Sequence, residues 1–177
     1  MNTVKITSGD LKGRSIQTPG GRTHPMGERE RLALFNMIAE FLPGNFVLDA
    51  FAGSGALGIE AISRGAGFVV FIEKDARACK TIEKNLIDLN LYPHKGGVLK
   101  YDVYTVLRTA TDRWGIVLAD PPYDQYDEKK LQVLARVVAD PGGILVLSHP
   151  GEAPEMPGLK LLKTRQYAAA HISIYVK

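Results

Sequence analysis

The sequence is poor in the features that staple or anchor a chain. Cys79 is its only cysteine, so no internal disulfide can form, and a reducing, cytoplasmic compartment is expected. Cys79 falls in a helical stretch and reads as a small buried hydrophobe rather than a nucleophile. No apolar run approaches the roughly 20 residues that a membrane-crossing helix needs, and residues 1–10 contain no apolar stretch of the secretory kind. Neither a membrane nor a secretory role is expected. Four scattered histidines and one cysteine offer no metal-ligand spacing, so no metal is expected. Repeats and low-complexity tracts are lacking too. The single tryptophan, Trp114, is expected to pack at the start of a strand. The chain has 177 residues, 45% apolar and 23% charged, which suits one globular domain with a sizeable core, read here as a monomer.

Net charge is also scarce, at +3, but it is unevenly placed. Residues 1–31 hold six basic side chains against three acidic ones, whereas residues 32–177 hold 16 of each. Charge bias of this kind is the footprint of a polyanion-binding arm on a neutral body, or else of a solvated arm. Lys12, Arg14, Arg22, Arg29 and Arg31 are the candidate RNA-binding residues.

Two short alternating stretches, Val4-Lys5-Ile6-Thr7 and Arg14-Ser15-Ile16-Gln17, flank a Gly/Asp turn and predict a β-hairpin. Residues 18–27 read as loop. Leu32, Phe35, Ile38, Ala39 and Leu42 fall at helical spacing, which predicts a helix over residues 28–42, stopped by Pro43-Gly44. Strands and helices then alternate: strands at 46–48, 68–72, 98–99, 116–119 and 144–147, helices at 56–64, 75–89, 103–109 and 128–139. Residues 160–165 and 171–176 read as two final strands with no helix between them. Repeated βα units predict a parallel sheet with helices on both faces, closed by an antiparallel pair. The expected division is an arm and loop over 1–27 and an α/β domain over 28–177, forming one compact body.

The segment from Val47 to Gly58, VLDAFAGSGALG, follows a strand and opens a helix. Glycines there let the backbone approach a ligand, and the helix start offers free N–H donors. The plain alternative is a tight turn with no ligand. Gly53-Ser54-Gly55-Ala56-Leu57-Gly58 matches G-x-G-x-x-G, and Glu73 ends the next strand, so a nicotinamide dinucleotide has to be weighed. Two details oppose it. Four residues, Asp49-Ala50-Phe51-Ala52, separate the strand from the first glycine, and the Asp49 charge would repel a pyrophosphate. An acid at that place suits a ligand with an ammonium group, such as S-adenosylmethionine. Asp102 follows the third strand of the series, where it is either a helix cap or a third acid beside a nucleoside. The cofactor-binding candidates are Asp49, Ala52, Gly53, Ser54, Gly55, Glu73 and Asp102.

Strand 116–119 ends in Asp120-Pro121-Pro122-Tyr123. Two prolines stop the strand and remove two N–H donors, leaving carbonyl acceptors beside a carboxylate. That cluster can accept the hydrogens of an amino group, while Tyr123 offers a ring for stacking on a base. Asp120, Pro121, Pro122 and Tyr123 are therefore the candidate catalytic residues.

With those motifs in place the chain resembles class I methyltransferases. More closely, it resembles the bacterial enzymes that methylate N2 of guanine 966 in 16S ribosomal RNA. The resemblance rests on Ile6 to Arg14, on Arg29-Glu30-Arg31-Leu32-Ala33-Leu34-Phe35-Asn36, on Ala52 to Ala61 with Ser63-Arg64-Gly65-Ala66, and on Asp120 to Tyr123, and it spans about residues 5–176. It implies a Rossmann-like, seven-stranded, mostly parallel sheet with a reversed last strand. It also implies S-adenosyl-L-methionine as cofactor, with Glu73 on the ribose side and Asp102 on the adenine side. The partner would be ribosomal RNA, free or within the small subunit. The chain departs from the family at His24-Pro25-Met26-Gly27, usually Arg-Pro-Thr, and at Ser148-His149, where a Glu is usual. His149 reads as a loop histidine. An adenine-N6 methyltransferase, a nicotinamide dehydrogenase and a binding protein without catalysis are the competing readings.

Overall fold

The structure is a computed structural model and describes residues 2–20, 26–167 and 170–177. Arg22, His24 and Pro25 lie outside the described residues. The chain opens with a two-stranded antiparallel ribbon, β1 (Thr3–Lys5) and β2 (Ser15–Gln17), followed by α1 (Glu28–Met37) and a 3-10 turn over Ala39–Phe41. An alternating series follows: β3 (Phe46–Asp49), α2 (Ala56–Ser63), β4 (Phe68–Glu73), α3 (Ala76–Asp88), β5 (Gly96–Lys100), α4 (Val103–Thr109) and β6 (Ile116–Ala119). It continues with α5 (Glu128–Leu131), β7 (Ile144–His149), β8 (Lys160–Tyr167) and β9 (Ala170–Val176).

The seven long strands form one sheet in the order β5-β4-β3-β6-β7-β9-β8. Pairings from β5 through β7 are parallel; β9 runs antiparallel to β7 and to β8. The reversed strand is therefore present. The chain winds outward from β3 to β5 in one direction and from β6 to β7 in the other, which places the switch point between β3 and β6. In open α/β sheets ligands bind beyond the strand ends at that place.

The central strands are apolar on both sides because each face is covered. On one face Val47, Val69, Phe71, Ile116, Leu118, Ile172 and Ile174 meet α1, α2, α3 and the N-terminal ribbon. On the other, Leu48, Val117, Leu145, Leu147 and Tyr175 meet α4, α5 and the half-buried Trp114. Cys79 is buried, with its thiol 3.3 Å from the Glu73 carbonyl. Among the described residues no helix is long and apolar enough to cross a membrane.

Several boundaries differ from the periodicity, three of them for identifiable reasons. The helix expected over 28–42 ends at Met37 and tightens into the 3-10 turn. The helix expected over 128–139 is α-helical only to Leu131 and then 3-10 over Gln132–Val137. Val133, Val137 and Val138 are β-branched and helix-averse, and Trp114 draws on the end of that segment: its N–H donates to the Val137 carbonyl (2.9 Å) and its carbonyl accepts the Ala139 N–H (2.8 Å). Strand β7 runs two residues beyond the expected end because β9 pairs with it as far as His149↔His171.

The N-terminal ribbon is bolted to the body. Glu60, buried on α2, accepts the Thr7 N–H (2.8 Å), the Thr7 hydroxyl (2.6 Å) and the Ser8 N–H (3.1 Å). Asn85 on α3 exchanges two hydrogen bonds with the Gln17 backbone, each 2.9 Å. Arg31 completes this joint and corrects its assignment to an RNA-facing surface. Its side chain is buried, pairs with Glu60 at 3.4 Å, and donates to the carbonyls of Lys5 and Met26. A guanidinium so enclosed presents no face to a phosphate.

Candidate active site

A cleft of about 790 Å³ opens at the carboxyl ends of β3, β4, β6 and β7, over the switch point. Its walls include Ala52, Gly53 and Ser54 from the turn after β3, Glu73 from the end of β4, Asp102 from the start of α4, and all of Asp120-Pro121-Pro122-Tyr123. Ala52 and Tyr123, 71 positions apart in sequence, thus face one space. Asp49 and Gly55 do not line it.

Gly55 caps α2 with φ of +79°, and the N–H of Gly53 points to Glu73. The third glycine of the pattern, Gly58, has a packing role: a Cβ there would come within 2.2 Å of the Phe71 ring. Its N–H donates to Asp49 Oδ2 at 2.9 Å, so the Asp49 carboxylate turns inward under the loop instead of meeting a ligand's ammonium directly. Burial raises the Asp49 carboxyl to a pKa of about 7, the Gly58 N–H working against the rise and the negative charges of Asp120 and Glu73 adding to it. Asp49 Oδ1 has no partner among the described residues.

Glu73 holds the turn in place. Oε2 accepts the Gly53 N–H and Oε1 the Asp75 N–H, both at 2.8 Å. Each carboxylate oxygen keeps a further lone pair for a hydroxyl donor, which suits a ribose diol. Asp102 serves as cap and cleft wall together: Oδ1 accepts the Thr105 N–H (3.0 Å) and hydroxyl (3.2 Å), leaving Oδ2 for another donor. Phe51, Ile72, Tyr101 and Val103 supply apolar surface between these acids. Two carboxylates and an apolar slot form an acceptor set that fits the adenosine of S-adenosylmethionine.

Strand β6 ends at Ala119, and the two prolines carry the chain into a 3-10 turn over Tyr123–Gln125, closed by the Gln125 N–H to the Pro122 carbonyl at 3.0 Å. Burial pushes the Asp120 carboxyl up from its usual range; the Ser148 hydroxyl opposes the shift and the Glu30 charge adds to it. The Tyr123 hydroxyl, also pushed up by burial, lies 2.6 Å from Ser148 Oγ. Ser148 is buried and lines the cleft, so the residue that departs from the family pattern sits against the catalytic candidates.

His149, expected in a loop, is instead a fully buried strand residue. Its Nε2 lies 2.8 Å from Ser173 Oγ, on the face of β7 away from the cleft. Further cleft residues escaped the sequence reading, among them Thr18, Glu30 and the Lys74–Gln125 pair, whose side chains meet at 3.0 Å. Glu30 resembles an ordinary helix-surface acid in sequence. Its Oε2 accepts the Gly27 N–H at 2.9 Å, and no local pattern shows that it faces the end of a strand 90 residues away.

Lys12, Arg14 and Arg29 are exposed. Arg29 neighbours Glu30 at the cleft rim, while Lys12 and Arg14 stand at the turn of the ribbon.

Comparison with known proteins agrees with this fold. The family described as conserved hypothetical protein 95 matches residues 4–176. A Bacillus subtilis protein described as a candidate rRNA methyltransferase is 35% identical over 98% of this chain and 99% of its own length. Ribosomal RNA small subunit methyltransferase D of Escherichia coli is 34% identical over 68% of this chain and 60% of its own length. Among solved structures, an Escherichia coli protein described as a candidate methyltransferase superposes with a TM-score of 0.89 at 28% identity, covering 99% of this chain and 98% of that one. The fold is also that of the Synechocystis magnesium protoporphyrin IX methyltransferase solved with bound S-adenosylmethionine, with a TM-score of 0.65 at 16% identity over 89% and 86% of the two chains. The chain accordingly belongs to the conserved hypothetical protein 95 family, whose relatives here are methyltransferases, and it has the class I, S-adenosylmethionine-dependent methyltransferase fold.

Proposed function

We propose that the protein transfers the methyl group to the exocyclic N2 amine of a guanine in 16S ribosomal RNA. The observation that carries this reading is the junction of Asp120-Pro121-Pro122-Tyr123 and the Gly53/Glu73/Asp102 nucleoside walls in one cleft. The rRNA substrates named for the relatives support the choice of polymer.

The bound cofactor supplies an electrophilic methyl. The chain's own residues have to make a poor nucleophile competent. An aromatic amine donates its lone pair into the ring, and positive charge builds on nitrogen as it is methylated. Asp120 Oδ and the Pro121 carbonyl accept the two amine hydrogens, which turns the lone pair out of conjugation and stabilises that charge, and once the N–C bond has formed one of these hydrogens leaves the nitrogen as a proton along the Asp120 hydrogen bond. Tyr123, tethered to Ser148, presents its ring to a base turned out of the RNA stack. Alignment of this kind is worth up to about 7–11 kcal/mol in favourable cases.

Glu30 favours guanine over adenine. Guanine presents adjacent donors at N1 and N2, whereas adenine presents an acceptor at N1 beside its amine. A cleft with Glu30 and Asp120 both on its wall complements the guanine edge. The test is transfer of labelled methyl to 16S RNA followed by nucleoside analysis. N2-methylguanosine is the expected product; N6-methyladenosine, or no transfer to RNA, would overturn the assignment.

A further inference from the structure

Strand β8 lies at one edge of the sheet, beyond β9, and is exposed from Lys160 to Gln166. Residues 156–177 contain Lys160, Lys163, Arg165 and Lys177 and no acidic residue, so the 16 acids of the body all lie before this hairpin. Lys160, Lys163 and Arg165 are exposed and take part in no ion pair among the described residues.

Sequence spacing alone would scatter these three. Side chains alternate faces along a strand, and Lys160 and Lys163 are an odd number apart. The register shows otherwise. Lys160 pairs with Val176, Lys163 with Ile174 and Arg165 with Ile172, with an irregularity between Leu161 and Lys163. Residues directly opposite on paired strands share a face, and Ile172, Ile174 and Val176 all pack on the α1 side of the sheet. The extra residue in the bulge thus re-aims Lys160 onto the face of Lys163 and Arg165. The row ends at Tyr167, which lines the cleft with Ala170 and Ile172. At a strand rise of about 3.3 Å, Arg165 stands about 7 Å along the strand from Tyr167 and Lys160 roughly 20 Å from it.

We propose that Lys160, Lys163 and Arg165 form a phosphate-binding track for the RNA flanking the target nucleotide, running from the cleft mouth along the edge strand. The proposal rests on RNA being the substrate. Three unpaired cations in line, on the face that also carries α1 with exposed Arg29, complement a polyanion leaving the cleft. Phosphate contacts hold the strand in register without reading its sequence.

The test uses the full chain and 16S RNA at several salt concentrations. Each phosphate contact contributes roughly 0.7–0.9 to the slope of log affinity against log salt. The variant Lys160→Ala/Lys163→Ala/Arg165→Ala is expected to flatten the slope by about two units and to raise KM for RNA about tenfold, with kcat at saturating RNA and cofactor affinity unchanged. A control, Lys129→Ala/Lys130→Ala/Arg136→Ala, removes equal charge from the α5 segment on the other face of the sheet and is expected to change the slope much less. Equal slopes for wild type and the β8 variant would overturn the track. So would unaltered binding of naked RNA with loss of methylation only on assembled ribonucleoprotein, which would make the strand a protein-docking edge. If the wild type neither binds nor methylates RNA, the substrate assignment itself fails, an outcome distinct from the other two.

Discussion

Asp120 shows how far burial decides what a carboxylate can do. In the proposed role Asp120 serves best as an ionised, charged acceptor of an amine hydrogen, yet burial holds its pKa above the usual range. A group shifted in this direction takes up its proton earlier as pH falls. Methyl transfer is therefore expected to decline on acidification at a higher pH than an ordinary carboxylate would set, and Asp120→Asn should lack that limb. Asp120→Ala should lose nearly all transfer while cofactor affinity stays within a few-fold. A charged hydrogen bond to substrate is worth about 1.5–3 kcal/mol even before misalignment. A pH–rate profile with calorimetry on each variant checks this; near-normal turnover would reduce the motif to a turn. Glu30 makes a second prediction at this scale. RNA carrying 2-aminopurine at the target keeps the amine and lacks the N1 hydrogen. Wild type should prefer guanine over it, and Glu30→Ala should narrow the preference by about tenfold, on the scale of one hydrogen bond to a charged group. An unchanged ratio of kcat/KM values would remove Glu30 from substrate recognition.

At the scale of elements, the first 31 residues hold basic side chains in two settings that composition does not separate. Six basic residues fall in the first 31, but Arg31 belongs to the joint with Glu60, while Lys12 and Arg14 face solvent. Their substitutions should part company. Arg31→Ala leaves a buried carboxylate short of a partner and is expected to cost about 3–5 kcal/mol of stability, read as a lowered Tm; the Arg64 bond at 2.9 Å keeps the loss toward the lower end. Lys12→Ala/Arg14→Ala should leave Tm and cofactor affinity alone, weaken RNA binding, and flatten the salt slope by up to about two units. Equal slopes for that variant would mean that the ribbon only covers the helices. Burial separates the two cases. No pattern within Arg29-Glu30-Arg31 marks which side chain faces Glu60, because that partner arrives from 29 residues away.

For the whole molecule, the sheet brings acids from separate strand ends to one place. Glu73 and Asp102 sit with Gly53 in a cleft that Asp49 backs from beneath, and a dinucleotide pyrophosphate would have to approach this carboxylate-rich turn. Calorimetry is expected to show binding of S-adenosylmethionine or its demethylated product and none of nicotinamide dinucleotides. Tight dinucleotide binding alone would contradict the geometry. The succession of strands and helices along the chain, the position of the glycine-rich turn and the Asp-Pro-Pro-Tyr corner were all legible in the linear chain, since each is written in local signals: apolar runs of strand length, glycines after a strand, prolines that end one. Strand-end acids were legible for the same reason, although Asp49 proved to bind Gly58 rather than face the cleft. Tertiary structure alone decided the contacts between distant segments. It buried Arg31, drew His149 into β7 through pairing with β9, set Ser148 against Tyr123, and turned Lys160 onto the face of Lys163 and Arg165 by one bulged residue. Periodicity reports which side chains share a face of one element; which partner that face meets, and in what register, depends on strand pairing and packing energies that no single stretch of sequence contains.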